Sequence, residues 1–183
     1  MIKKNNLITK RKNKLSKSDE IFLFNSQNIE VGISKKGYGK TYLASRNFKP
    51  GEIIMMGYGK VIDHQTSKVS IQIDINKHFI PYRYTGWYWN HSCEPNTCMK
   101  TRDDGFPNLI ALKPIKKCEE VTYAYWMSEC EWGDHTDESK ISCKCGSFKC
   151  KGKICSFTDL PIKDRGNIMK ASICSAHLYK LSK

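Results

Sequence analysis

Arginine is scarce in this chain: of 31 basic residues only five, at positions 11, 46, 83, 102 and 165, carry a guanidinium. A surface charged mainly by lysine attracts polyanions but offers few planar forks, so bidentate reading of DNA bases is not expected. Acidic residues are also few, 18 against those 31, which leaves a net charge of +13. That charge favours nucleic acid or another polyanion as an electrostatic partner; a solvated, lysine-rich surface without a partner explains it equally well. Long apolar runs are missing too. Nothing approaches the roughly 20 residues of a membrane span, so no membrane partner is expected. The start of the chain carries Lys3, Lys4, Lys10, Arg11, Lys12, Lys14 and Lys17 but no continuous apolar stretch, and Ile21-Phe22-Leu23-Phe24 is too brief to serve as one. A secretory signal is therefore not expected, and the chain is expected to be intracellular, cytoplasmic or nuclear, with the nucleus of a host as one location.

Cysteine, by contrast, is abundant. Nine thiols in a chain without an export signal point to a reducing compartment and to metal binding rather than to a disulfide framework, and the odd count argues the same way.

At 183 residues the chain holds one domain with a single sizeable core. The first 18 residues lack apolar periodicity and read as a basic arm; the cluster Lys10-Arg11-Lys12-Asn13-Lys14 is either a nuclear-import signal or a solvated tail. From Ile29 onward the texture is β-like. Val69, Ile71, Ile73 and Ile75 alternate with Ser70, Gln72, Asp74 and Asn76, the pattern of a strand with one buried face. Asn108 to Leu112 reads as a second strand that pairs with Thr97 to Thr101 across the turn Asp103-Asp104-Gly105, and Pro50-Gly51 marks a turn before Ile53 to Met56. No long helix is expected in the first 130 residues. An acidic linker follows Trp126, and a short helix is expected near Ile168 to Leu178. The fold class is mainly β, built of many short strands.

Three segments carry chemistry. In Asn90-His91-Ser92-Cys93-Glu94-Pro95-Asn96, Asn90 offers an acceptor and two donors that suit the charged groups of an amino acid. In Glu119-Glu120-Val121-Thr122-Tyr123-Ala124-Tyr125, strand alternation puts Tyr123 and Tyr125 on one face, two phenols suited to a dry, aromatic site that hydrogen-bonds an amine. In Cys143-Lys144-Cys145-Gly146-Ser147-Phe148-Lys149-Cys150, three thiolates come from one short loop, and a structural zinc site needs a fourth ligand. Cys93 and Cys155 are the rivals for that place. Upstream, Gly37-Tyr38-Gly39 allows close approach of a ligand to the backbone.

Taken in order, these segments resemble a SET domain followed by a post-SET zinc motif, the architecture of the protein-lysine methyltransferases, over roughly Ile29 to Ile154. The resemblance implies a SET fold of short strands in several small sheets, with a C-terminal pseudoknot and a zinc-stabilised post-SET loop. It implies a basic arm and lead-in over 1–27, the SET domain over 28–127, linker and zinc motif over 128–157, and a tail over 158–183. It assigns Gly37, Tyr38, Gly39, Asn90 and His91 to S-adenosylmethionine, Tyr125 to catalysis, Tyr123 to control of the methylation state, and Cys93 with Cys143, Cys145 and Cys150 to zinc. The implied activity is methyl transfer to the ε-amine of a protein lysine, in a histone or another basic protein, to the mono- or dimethyl state. The alternative is a catalytically weak, zinc-stabilised basic module that binds nucleic acid or chromatin. The chain departs from the family pattern at Cys118, where a glycine is usual, at Ala124, where an aspartate is, and at Met56-Gly57, where a Glu-Tyr pair is and Tyr58 comes one step late.

Overall fold

The structure, a computed structural model, describes residues 15–37, 39–64, 70–82, 86–131 and 142–182. Tyr38, Val69, the basic cluster at 10–14 and the acidic stretch at 132–141 lie outside the described residues.

The first element departs from the expectation of no long helix in the first 130 residues: α1 (Lys17–Asn28) is a 12-residue helix that begins within the arm and lead-in and ends at the first residue of the segment read as the SET domain. Ser16 caps it, accepting from the Asp19 amide at 3.2 Å and donating to the Asp19 carboxylate at 2.6 Å, and Asp19 and Glu20 oppose the positive end of the helix dipole. Its buried face holds Ile21, Asn25 and Asn28. Asn25 acts as a one-residue strand partner: its amide donates to the Met56 carbonyl at 2.9 Å and accepts from the Met56 amide at 2.8 Å.

Strands β1 (Ile29–Ile33) and β2 (Lys40–Ala44) form an antiparallel pair in register Ile29↔Ala44 to Ile33↔Lys40. The turn between them is closed by the Ser34 amide on the Gly39 carbonyl, 2.8 Å. Strands β3 (Ile53–Met56), β8 (Thr97–Thr101) and β9 (Pro107–Ala111) make a sheet in the order β3-β9-β8, with the expected β8–β9 hairpin turning through Asp103-Asp104-Gly105. Strands β4 (Gly59–Ile62), β5 (Ile71–Asp74) and β6 (Lys77–Pro81) make a second sheet, β4-β6-β5. The alternation read at 69–76 overstates β5. Gln72 is buried rather than solvated, because its amide donates to the Asp74 and Ile75 carbonyls and accepts from the Cys130 amide, while Ile75 sits exposed in the turn.

The pairing that builds the site is the shortest: β7 (Asn90–His91) lies parallel to β10 (Thr122–Tyr123), in register Thr122↔Asn90 and Tyr123↔His91. Here the late segment meets the early polar loop. Fully buried Tyr42, Met55, Leu109, Val121 and Met127 form the core beneath it.

Beyond Trp126 the chain does not become a linker at once. Ser128, Glu129 and Cys130 are buried, and the Glu129 and Cys130 carbonyls accept from Phe157 and Thr158. Within the segment read as a tail, 158–183, the described residues Leu160, Ile168, Cys174 and Leu178 join the same core. Its helix, α2 (Ile162–Lys170), starts earlier than expected and stops before Cys174. The chain leaves it because Ile173 accepts from Met99 of β8 and Ser175 donates to the Met127 carbonyl; a 3-10 segment, Ala176–Ser182, follows. Among the described residues no helix is long and apolar enough to cross a membrane.

Candidate active site and cysteine centre

The β1–β2 turn supplies the first wall. Gly37 and Gly39 both hold a left-handed backbone, φ +81° and +80°, and a Cβ at either would meet nothing within 4 Å. Open space beside a backbone that only glycine adopts without strain is what close approach of a ligand needs. The turn is fixed from below by Ser34, whose hydroxyl donates to Glu120 at 3.1 Å.

Glu120 is a residue whose role the sequence reading missed. Its carboxylate also accepts from the Thr41 hydroxyl at 2.7 Å and from the Asn90 amide at 3.2 Å, so one buried-facing acid ties β2 to the polar loop. Asn90 gives its second amide hydrogen to the Lys40 carbonyl, 3.1 Å away, immediately after the glycine turn. With both donors engaged, what Asn90 offers a ligand is its carbonyl oxygen, an acceptor suited to an ammonium rather than a carboxylate. Asn96 is a second missed residue. Its side chain donates to the Glu120 carbonyl at 2.8 Å and accepts from the Thr122 amide at 2.9 Å, stitching the loop to the strand beside it. Both residues lie inside the quoted motifs, but hydrogen-bond hubs leave no periodic signal.

The aromatic part differs in one respect from expectation. Tyr125 is not in the strand with Tyr123; β10 ends at Tyr123, and Tyr125 opens a 3-10 turn, Tyr125–Met127. The two rings nevertheless lie 5.2 Å apart. Trp89 stands edge-on to Tyr123 at 5.9 Å and His91 edge-on to Tyr125 at 5.1 Å, so four rings form one group. Tyr123 is buried and Tyr125 half-buried. The Tyr125 amide donates to His91 Nδ1 at 3.1 Å. Burial pushes the His91 imidazolium pKa down to about 4, so the ring is neutral at pH 7.

Position 57 excludes a tyrosine in this backbone, since even a Cβ would lie 2.9 Å from Pro107 Cγ and 3.1 Å from Phe79 Cζ. Tyr58 packs instead on Phe106 and Tyr82.

The cysteine centre gathers Cys93, Cys143, Cys145 and Cys150, whose Sγ atoms all lie within 4.8 Å of one another, with Cys93 and Cys143 at 3.8 Å. Cys155, the rival, is not in the group; its thiol faces the Lys153 carbonyl. A tetrahedron of sulfurs about 2.3 Å from zinc has edges of about 3.8 Å, so the set fits a Zn²⁺ ion. Backbone amides of Lys151 and Gly152 point at Cys93 and Cys150 sulfurs, both at 3.4 Å. Burial raises the Cys93 thiol to about 11 and raises Cys143 further. At Cys145 the same burial is outweighed by hydrogen bonds from backbone amides and the neighbouring thiols, which bring it down to about 6. Four ionised thiolates this close would repel one another, and a divalent cation offsets that repulsion.

A SET-domain family model matches residues 3–126, more than half of the chain. An H3 lysine-4 specific histone-lysine N-methyltransferase of Aspergillus oryzae is 42% identical over 66 residues, which is 34% of this chain and 5% of that protein. The H3 lysine-9 specific histone-lysine N-methyltransferase SUVH7 of Arabidopsis thaliana is 36% identical over 84 residues, 40% of this chain and 12% of that protein. The chain thus matches only a small part of each relative's length. Among solved structures, KRYPTONITE in complex with mCHG DNA and SAH aligns with a TM-score of 0.55 at 25% identity, over 70% of this chain and 29% of that one. With the motifs, the parallel β7–β10 pair and the family match in agreement, the chain belongs to the SET-domain family.

Proposed function

We propose that this protein transfers a methyl group from S-adenosylmethionine to the ε-amine of a lysine in a protein substrate. The observation that carries the reading is the ring group Trp89, Tyr123, Tyr125 and His91, built directly onto the Asn90 loop and the glycine turn. S-adenosylmethionine, when bound, supplies a methyl carbon on a positively charged sulfur. Asn90 would hold its ammonium through the amide oxygen, and the turn at Gly37 and Gly39 would give its backbone to the same amino-acid portion. The backbone of His91, whose ring is already engaged, would face the rest of the ligand.

The target amine must first lose a proton. At pH 7 a lysine of ordinary pKa, about 10.4, is neutral for only about 0.04% of the time. Enclosure by the aromatic side chains favours the neutral amine, and its proton goes to solvent. The nitrogen lone pair then forms the new bond to carbon while the carbon–sulfur electron pair stays on sulfur. Because positive charge moves from sulfur to nitrogen without new charge appearing, alignment dominates the rate. Tyr125, whose amide is pinned by His91, orients the amine and stabilises it electrostatically. Zinc held by Cys93, Cys143, Cys145 and Cys150 would fasten the 143–150 loop to the Asn90–Asn96 loop.

Relatives named for lysine 4 and lysine 9 of histone H3 support a histone substrate and a nuclear location, while their disagreement leaves the target lysine to experiment. The net charge of +13 supports contact with nucleosomal DNA through lysine side chains. The test is methyl transfer from labelled S-adenosylmethionine to histone octamers and to free H3, with Tyr125→Phe as control. Wild-type protein labels H3, and Tyr125→Phe loses at least about 100-fold in kcat, the range of a positioned group in the transition state, while cofactor affinity stays within a few-fold. Turnover by Tyr125→Phe close to wild type would make Tyr125 structural. Absence of labelling on any histone, with cofactor bound, would remove the substrate assignment.

A further inference from the structure

His91 makes two polar contacts with its ring, and together they fix where its proton is. Nδ1 lies 3.1 Å from the Tyr125 backbone nitrogen, which can only donate. Nδ1 must therefore accept, and carries no hydrogen. A neutral imidazole has one N–H, so it sits on Nε2. That atom lies 3.2 Å from Cys93 Sγ. The opposite tautomer would set two N–H groups head to head at Tyr125 and leave a bare nitrogen facing the Cys93 sulfur, which is a thiolate once zinc is bound. The imidazolium would do the first of these as well.

We propose that His91 is a positioning residue that couples the cysteine centre to Tyr125: in the zinc-loaded protein Nε2–H donates to the Cys93 thiolate while Nδ1 holds the Tyr125 amide. Cys93 is the ligand that makes this coupling matter. Its three companions come from one loop of eight residues, whereas Cys93 comes from the Asn90–Asn96 segment, 50 residues before Cys143. Whatever fixes the Cys93 sulfur fixes the His91 ring, and the ring in turn fixes the first residue of the 3-10 turn that presents the Tyr125 phenol. The ring face reinforces this, standing edge-on to the Tyr125 ring at 5.1 Å. Cys93 also accepts from the Lys151 amide at 3.4 Å, so His91 is the side-chain half of a two-donor cradle. N–H donors of this kind spread the thiolate charge and orient the sulfur, and removing such a partner costs about 10–100-fold in metal affinity. Loss of the metal would therefore be felt at Tyr125 as well as in the cysteine loop. The effect on turnover rests on the lysine-methyltransferase reading; the coupling itself does not.

Two substitutions separate the two hydrogen bonds. The side-chain oxygen of asparagine reaches the place of Nδ1, so His91→Asn keeps an acceptor for the Tyr125 amide and loses the donor to Cys93. Glutamine is one carbon longer and places its amide near Nε2, so His91→Gln keeps a donor for Cys93 and loses the acceptor. In chelator competition with zinc, His91→Asn should bind about 10–100-fold more weakly than wild type, and His91→Gln should recover to within about threefold. Equal zinc affinity in His91→Asn and wild type would overturn the proposal. The tautomer is read in the unaltered zinc-loaded protein by long-range proton–nitrogen correlation, with the His91 ring signals linked to the sequentially assigned His91 backbone. A protonated Nε2 and a bare Nδ1 are expected, and the reverse would overturn the proposal even if both variants fail to fold. Finally, stripping zinc should shift the Tyr125 amide resonance in wild type and leave it nearly unmoved in His91→Gln; an unmoved wild-type resonance would also overturn it. None of these readouts uses methyl transfer, so they stand or fall independently of the enzyme assay.

Discussion

On the proposed function, Tyr123 is the residue expected to set the product. It is buried, sits between Trp89 and Tyr125, and its ring lies within 6 Å of both, at 5.9 and 5.2 Å. A phenol in that position would hydrogen-bond a substrate amine or a water and so take up space that added methyl groups would need. The wild-type protein should stop mainly at the first methyl group, with some second. Tyr123→Phe keeps the ring packing and removes one oxygen, so it should move the product toward di- and trimethyl-lysine. Mass spectrometry of the modified peptide measures this directly, and abundant trimethyl-lysine from the wild-type protein would refute it. At this scale the sequence was most legible. Asn90, Cys93, Tyr125 and the three clustered cysteines could be singled out because motif spacing survives in one dimension. Glu120 and Asn96 could not, because what distinguishes them is the number of partners brought to each by strands far apart in the chain.

Elements were legible where hydrophobic side chains carry them and obscure where polar ones do. The β8–β9 hairpin and the turn before β3 follow the apolar pattern and their turn residues. Helix α1 does not, since two of its three buried residues are asparagines, and Asn25 is buried only because Met56 presents a free strand edge to it. Gln72 in β5 is the same case. The turn before β10 shows what a family departure does physically. Cys118 is exposed and holds φ +65°, a left-handed conformation that costs an L-residue roughly 1 kcal/mol or more. Its amide still donates to the Ala44 carbonyl at 2.7 Å, so the turn keeps its shape despite the cysteine. Cys118→Gly should relieve this strain and, after the added entropy of an unfolded glycine, stabilise the protein by about 0.5–1 kcal/mol. A urea midpoint at or below the wild-type value would show that the thiol compensates for its own backbone.

For the whole molecule, the C-terminal segment is part of the fold, and it brings a pH dependence with it. The 3-10 segment places His177 against the chain just after Tyr125, with Nε2 2.8 Å from the Ser128 carbonyl, while Lys180 pairs with Asp74 at 2.7 Å. His78 lies nearby on β6. Each histidine has a buried Nδ1 with no hydrogen-bond partner among the described residues. Burial, reinforced by the charge His177 would carry, holds the His78 pKa down at about 4, and burial lowers His177 as well. In the unfolded chain both return to about 6.5. Above that value neither state is protonated and the histidines cost nothing. As pH falls below it, the unfolded chain binds protons that the folded chain refuses, so stability drops by up to about 1.4 kcal/mol per unit for each histidine until the folded group titrates. For His78 that window closes near pH 4. The Asp74 carboxylate, lowered chiefly by its Lys180 hydrogen bond, acts below this range, since its stabilisation is intact above the ordinary aspartate value. Reprotonation of the cysteine ligands also falls within the acid range, so the overall slope does not isolate the histidines. The comparison with His78→Gln does. Urea midpoints of the zinc-loaded protein at pH 7.5, 6 and 5 should fall more steeply for wild type than for His78→Gln, with the two differing least at pH 7.5 once their neutral-pH offset is subtracted. Parallel slopes would mean that His78 takes up its proton in the folded protein as readily as in the unfolded chain.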